Sequence, residues 1–306
     1  MNRFLPLSLF AALAVAGLSA HAQTSPLTVA LTFDDLPAHG EKPADETRLQ
    51  IAQSILTTLQ QERLPPVVGF VNGIRVQEAP DTMDVLRAWR AAGEPLGSHT
   101  FAHSDLDAET AAAFEADIAK NEPLMQQIAA GTAWRWLRYP FLHEGDTLAK
   151  RQEVQHYLKL HGYKVAEVSL DFEDYLWNAP YARCVAKHDD AAITWLQRSY
   201  LATADQYITV FHETSYRLYG RDIPYVLLLH IGAFDAKMLP DLIALLRSRG
   251  FTFTTLQQAQ SDPVYSVDPA IGHKGGGTLQ ELTAAARNVR MPPNSKPYKE
   301  LDALCR

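Results

Sequence analysis

The sequence predicts an α/β fold in which a parallel sheet is covered by helices and curls into a closed or nearly closed barrel. Two observations carry this. From residue 27 to about residue 256, short apolar runs rich in β-forming residues alternate with longer stretches of helical periodicity, the pattern of strand and helix units in a parallel sheet. Polar residues also gather at the C-terminal ends of several different runs, where barrel active sites lie, and this favours a barrel over an open sheet.

Residues 1–22 stand outside that pattern. MNRFLPLSLFAALAVAGLSAHA has a basic residue at Arg3, an apolar stretch and the small-x-small site Ala20-His21-Ala22, the make-up of a cleaved secretory signal peptide. The apolar stretch is short for a bilayer span, and no later segment approaches the roughly 20 continuous apolar residues one needs. The mature chain is therefore expected to be exported, periplasmic or secreted, with no stable membrane insertion.

The first strand is LTVALTF (27–33), an apolar run bounded by Pro26 and an Asp pair, as suits a strand buried on both faces. Helical periodicity follows over 47–64, then the apolar PPVVGFV (65–71) and a helix over 81–92. GEPLGSHTF, a helix over 108–130, WRWLRYP, a helix over 147–161 and KVAEVSL continue the alternation. YVLLLHI (225–231), a helix over 237–249 and FTFTTL complete it.

Two segments interrupt it. Residues 177–224 contain DDAAITWLQRSYLATA, of helical composition, and read as an inserted helical excursion. The tail from about 262 reads as a surface wrap, with GHKGGG a flexible linker because it lacks the spacing of a phosphate loop. Cys184 and Cys305 are the only cysteines; in an oxidising compartment they can pair with each other, and otherwise they are two free thiols.

Removing the leader takes away one of 28 basic residues and leaves 27 against 35 acidic ones, a net charge of about −8 with His neutral. That disfavours a nucleic acid partner.

Chemistry enters at LTFDDLPAHG (31–40), where an apolar strand ends in two adjacent carboxylates, Asp34 and Asp35. They repel each other unless something positive lies close, and a metal would resolve the conflict. A strand-end turn that uses Asp as a cap before Pro37 is the other reading. His99-Thr-Phe-Ala-His103 spaces two imidazoles so that a helical turn would bring them onto one face. Two His and a carboxylate with open positions for water is a recurrent catalytic zinc arrangement. If Asp35 ligates the metal, Asp34 remains free to take a proton.

TFDD (32–35), HTFAH (99–103), RYPF (138–141), DFEDY (171–175) and LLH (228–230) fall in the order of the motifs of the polysaccharide deacetylases. Over residues 27–260 the chain resembles this family, the NodB-homology carbohydrate esterases of family 4. The resemblance implies a distorted (β/α) barrel of NodB type with seven strands rather than the usual eight, over residues 26–262, with the 177–224 insertion and a C-terminal extension over 263–306. It also implies hydrolytic removal of acetyl groups from a glycan, with one divalent ion, zinc before cobalt or manganese.

By matching positions, the resemblance makes Asp35, His99 and His103 the metal ligands, Asp34 the base and His230 the acid that protonates the departing amine. Arg138 would orient and charge-balance the base, and Asp174 would pair with the acid histidine. The Phe141 backbone N–H would help hold the oxyanion, and Leu228 would wall the acetyl methyl. The chain departs from the family pattern at Leu36, where Gly is common, at Tyr139 for a second Pro, at Phe141 for Tyr, and at Tyr175 for Trp. All four are expected to line or support the cleft, with Tyr139 and Tyr175 as substrate-binding residues, so they bear on which glycan is used.

The nearest alternative is O-deacetylation of acetylated xylan on the same site. A catalytically silent glycan-binding barrel should lack a ligand, base or acid, and none is missing. A two-His-one-carboxylate iron oxygenase leaves Asp34, Arg138 and His230 without roles. His212-Glu213 lacks the partner spacing of a second metal site. Trp134, Trp136, Trp177 and Trp195 are expected in the core rather than stacked on sugars, with Trp177 the possible exception.

Overall fold

A strand's period of two decides how the barrel is filled. In the first strand, β1 (Thr28–Leu36), Val29, Leu31 and Phe33 face outward into the main core beneath the helices, whereas Ala30 faces a second cluster inside the barrel. The same alternation carries Thr32 and Asp34 inward. The computed structural model describes residues 27–306; the expected signal peptide, residues 1–22, lies outside them.

After β1 come α1 (Arg48–Gln61), β2 (Val68–Val71), α2 (Gly73–Glu78), α3 (Met83–Ala91), β3 (Leu96–Ser98) and α4 (Ala111–Ile128). They are followed by β4 (Trp136–Leu137), α5 (Leu148–Leu160) and β5 (Lys164–Val165). Two helices, α6 (Asn178–Ala186) and α7 (Asp190–Tyr219), precede β6 (Tyr225–His230), α8 (Ala233–Ser248), β7 (Thr252–Phe253) and α9 (Leu256–Ala259). The chain ends with α10 (Leu279–Arg287) and α11 (Tyr298–Ala303).

The seven strands run parallel in the order β5-β4-β3-β2-β1-β6, with β7 also on β1. Past β5, Ala166 still donates to Leu137, and four residues later Leu170 bridges to Leu227 of β6. This one bridge brings the curled sheet round, so the expected distorted barrel is observed. Its interior is small: Ala30, Phe70, Ala166 and Val226, with Leu256 and Ala259 of α9 packed among them.

β1 and β6 pair with Ala30 opposite Val226, Thr32 opposite Leu228 and Asp34 opposite His230. Three pairs on the inward face thus rise from the apolar floor to two titratable groups at the rim. Gly69 of β2 is where the neighbouring strand needs room, since a Cβ there would lie 2.5 Å from a methyl of Leu36. Leu36 is completely buried in the main core, so it supports the Asp pair from below and does not face the cleft.

The interruption at 177–224 is helical, as its composition predicts. In α7, Leu196, Tyr200, Ala204, Tyr207, Phe211 and Leu218 form a buried stripe at helical spacing. Asp189 caps its start by accepting from the Ala192 N–H at 2.9 Å, and Gly220, with φ of 71°, ends it in the left-handed conformation. Trp177 is fully buried and donates to Ser199 Oγ at 2.8 Å, so it belongs to the core and cannot stack on a sugar.

The tail is not the loose linker its glycines suggested. Gly275 donates its N–H to Asp107 Oδ2 at 2.7 Å, and Gly276, in the left-handed region, lies so close to the Leu142 carbonyl that any side chain would collide with it. Beyond it α10 packs on α7 and buries Leu279 and Leu282, while Arg183 of α6 donates to the carbonyls of Leu301 and Leu304. The Cys184–Cys305 disulfide, with Cα atoms 5.2 Å apart, joins α6 to the C-terminal segment across a sequence separation of 121. Replacing both cysteines with serine should cost about 2–5 kcal/mol of stability, the usual effect of losing a native disulfide. The measurement is the denaturant midpoint; an unchanged midpoint would mean that the non-covalent contacts alone hold the tail.

Candidate active site

The two carboxylates of the Asp pair point in different directions because the backbone reverses its hand between them. Asp34 continues the inward alternation of β1, but Asp35 has φ of 65°, a conformation Asp tolerates better than most side chains. The β1–β2 register also shifts between Phe33 and Leu36. Asp34 is therefore almost fully buried, whereas the Asp35 carboxylate faces the cleft, 16% exposed.

Arg138, just past β4, meets Asp34 from across the barrel. Its Nη1 donates to both Asp34 oxygens at 3.1 and 3.2 Å, Nη2 to Thr32 Oγ1 at 3.1 Å and Nε to the Ala166 carbonyl at 2.7 Å. The guanidinium also stacks over the Phe70 ring at 4.6 Å. Burial lowers its proton affinity and the Asp34 charge opposes that loss.

His99 and His103 do not share a helical turn. They lie in an irregular loop after β3, with Thr100 and His103 in the left-handed region. The loop still brings them together: their rings are 4.8 Å apart at 76°. His99 Nδ1 lies 2.8 Å from the Arg138 carbonyl, a contact in which the nitrogen must donate, so Nε2 is the nitrogen turned to the cleft. Asp35 Oδ1 lies 3.6 Å from His99 Nε2 and 3.4 Å from His103 Nε2. Donors bonded tetrahedrally to zinc at roughly 2.0–2.2 Å stand about 3.4 Å apart, so these three atoms fit such an ion. Burial and the neighbouring His99 push His103 down to about 4, and the neutral imidazole is the form that ligates.

For Asp35, burial alone would raise the carboxyl, but the hydrogen bond from His39 and the charges of His99, His39 and His230 hold it well below the usual range. His39, which the motif reading missed, has Nδ1 2.6 Å from Asp35 Oδ2 and its ring 4.6 Å from that of His230. Arg48 of α1 fixes this loop by donating to the His39 and Gly40 carbonyls, each at 2.6 Å. The available signal was position: His39 is four residues after Asp35 on the same turn.

Across the cleft, His230 ends β6 and is held twice by Asp174, through Nδ1 and through its backbone N–H, each at 2.7 Å. Asp174 is fully buried. Behind it Asp235 accepts from Asn178 Nδ2 at 2.8 Å and from the Tyr200 hydroxyl at 3.3 Å. Burial pushes both carboxyls well above their ordinary range, and each raises or tempers the other through a shared hydrogen bond. The inserted helices thus supply the closed, polar backing of the His230 partner.

Asp34, Asp35, His39, His99, His103 and His230 line a cavity of about 340 Å³ with Leu228, Tyr139, Phe141 and Tyr175, while Arg138 and Asp174 stand behind its wall. Leu228 sits on its floor, 4% exposed. Phe141, with φ of 58°, stands 55% exposed at the rim, its ring 4.4 Å from His103. Tyr175 is 40% exposed and meets His230 edge-on. Tyr139 is buried and stacked on Phe114, so it shapes the wall more than it offers a surface. Asp171, which the sequence reading did not single out, also lines the cavity; burial raises its carboxyl to about 6 against the Glu173 N–H that it accepts. His212 bonds Asp222 at 2.7 Å and is not among the residues lining this cavity.

A sequence model described as polysaccharide deacetylase matches residues 21–166. A chitin deacetylase of Colletotrichum lindemuthianum is 30% identical over 164 residues, covering 51% of this chain and 56% of that protein. One from Arthroderma benhamiae is 26% identical over 148 residues, covering 48% of this chain and 35% of that one. The chain thus spans about half or less of the length of these relatives. The solved structure of the chitin deacetylase from Colletotrichum lindemuthianum superposes with a TM-score of 0.54 at 26% identity, over 77% of this chain and 88% of that one. With the matched sequence, the shared curled sheet and the five motifs meeting at one cavity, residues 21–166 match the polysaccharide deacetylase family, and the chain as a whole resembles it in fold.

Proposed function

We propose that this chain is an exported, metal-dependent hydrolase that removes acetyl groups from N-acetylated amino sugars of a polysaccharide or oligosaccharide. One observation carries the reading. Three donor atoms at the spacing of a tetrahedral ion share one cavity with a buried, arginine-paired carboxylate and a carboxylate-held histidine. Amide hydrolysis requires those functions: water activation, stabilisation of a developing oxyanion, and a proton for a poor leaving amine.

Asp35, His99 and His103 would hold the ion. Zinc suits two imidazoles and one carboxylate, with cobalt or manganese as alternatives. A divalent ion bound there supplies Lewis-acid polarisation and lowers the pKa of water.

The chain's own residues divide the proton work. Asp34, held in one orientation by Arg138, takes the proton of the attacking water. His230 donates a proton to the departing nitrogen, its ring fixed through Nδ1 by Asp174. Leu228 offers an apolar surface to the acetyl methyl, and the Phe141 backbone N–H serves the oxyanion. His39 holds the second oxygen of Asp35, so that Oδ1 stays turned toward the two ligand histidines.

Export rests on the leader sequence, and the disulfide supports it, since such bonds persist in oxidising compartments. Among the described residues no helix is long and apolar enough to cross a membrane.

Asp34→Asn should lower acetate release from a chitooligosaccharide by about 10²–10⁴-fold, the usual worth of a general base, while metal content per chain stays unchanged. Undiminished release by that variant would sink the assignment. His99→Ala should instead lose metal and activity together; a variant that binds zinc at near wild-type affinity would remove His99 from the ligand set. Acetate release tested across chitooligosaccharide, peptidoglycan, poly-N-acetylglucosamine and acetylxylan, with and without chelator, identifies the glycan. Release from acetylxylan alone would replace the amide reading by the ester one.

A further inference from the structure

A second cleft, of about 460 Å³, opens beside the catalytic cavity and shares Phe141, Leu142, Asp171 and Glu173 with it. Its far side comes from the C-terminal segment: the Gly275–Gly277 backbone, Glu281, Lys296 and Tyr298. That size is within the roughly 300–1,000 Å³ of ligand clefts. None of the far-side residues lies in the span matched by the family model, which ends at residue 166.

The lining has the chemistry of a sugar site. A pyranose ring presents an apolar C–H face and a rim of hydroxyls. Phe141 and Tyr298 are 55% and 51% exposed at this cleft, and an aromatic ring is a large rigid apolar surface of the kind that covers a pyranose C–H face. Asn294, Ser295, His273 and Lys296 add donors and acceptors around them.

The far wall is also rigid. Lys296, 8% exposed, bonds Glu173 at 2.9 Å with its ammonium 4.5 Å from the Tyr207 ring centre, and the Tyr298 hydroxyl donates to the other Glu173 oxygen at 2.7 Å. Glu173 has φ of 57° in a turn fixed by Asp171. The Tyr298 ring is thus held exposed by a bond at its far end, so less ordering is needed when a ligand covers it.

We infer that this cleft is a binding subsite for a neighbouring sugar unit of the same glycan chain whose reacting unit lies in the catalytic cavity, so that the C-terminal extension makes the protein favour longer oligomers. The inference rests on the glycan reading of that cavity.

The test is kcat/KM for acetate release across N-acetylglucosamine oligomers of one to five units, with pentamer affinity measured by calorimetry on the Asp34→Asn chain. Tyr298→Ala should flatten the gain with length by about five- to tenfold, in line with the worth of aromatic contacts, and leave the shortest oligomer that is turned over unchanged. Tyr298→Phe should keep most of the gain. Ser295→Trp, which fills the cleft without removing a contact, should act like Tyr298→Ala. Equal losses at every length, or none with either cleft variant, overturn the subsite. If no glycan releases acetate but the pentamer binds and Tyr298→Ala weakens it, the subsite stands and the deacetylase reading falls. If the pentamer does not bind, the subsite falls too.

Discussion

The ion pair between Asp34 and Arg138 is the constraint on which the rest of the site depends. Both groups are almost fully buried, 2% and 1% exposed, and a lone charge there would be costly to keep ionised. Each therefore needs the other in place. The guanidinium also has no spare freedom, because Thr32, Ala166 and the Phe70 ring occupy its other edges and face. Thr32 is in turn fixed by donating to Leu227 of β6 at 2.9 Å. One arginine thereby ties β1, the end of β4, the stretch after β5 and β6 to a single geometry. The backbone carbonyl of that same Arg138 orients His99, so the Asp34 carboxylate and the His99 ring cannot shift independently.

Much of this was readable from residue types and order. Alternation along TVALTFDDL and YVLLLH predicts that Ala30, Thr32 and Asp34 share a face, as do Val226, Leu228 and His230, and the register sets them side by side. The five motifs also carry over as positions, since residues from each of them line one cavity. What failed to carry over depended on backbone hand. His99 and His103 meet through left-handed residues at Thr100 and His103 rather than through a helix, which side-chain spacing cannot reveal. Leu36 drew attention as a departure from the family pattern, yet it is buried beneath the Asp pair. His39 was the residue in that stretch that faces the cavity; it drew none because a histidine outside the known motifs has no signal except proximity.

The glycines of the tail misled for a related reason. Composition equates GHKGGG with flexibility, but a position that requires φ above zero or an unobstructed close approach selects glycine as well. At Gly276 both apply, and the segment is docked.

The two segments that break the strand–helix alternation are therefore one structural unit with two effects on the cavity. On the inner side, α6 and α7 supply Asn178 and Tyr200 to Asp235, which backs the carboxyl partner of His230. On the outer side, α7 supplies Tyr207 and the tail supplies Lys296 and Tyr298, which fix Glu173 at the rim. Asp174 and Glu173 are adjacent in sequence, so this short turn transmits both effects. Its left-handed Glu173 sends one carboxylate out to the second cleft and leaves the next one buried under His230. The proposed proton transfer at His230 and the proposed sugar subsite in the outer cleft thus share one backbone turn but use opposite sides of it. A change to Tyr298 alters the outer surface while Asp174 remains bonded to His230 and backed by the helices behind it, so on the proposed reading the outer cleft can vary without disturbing the His230–Asp174 pair.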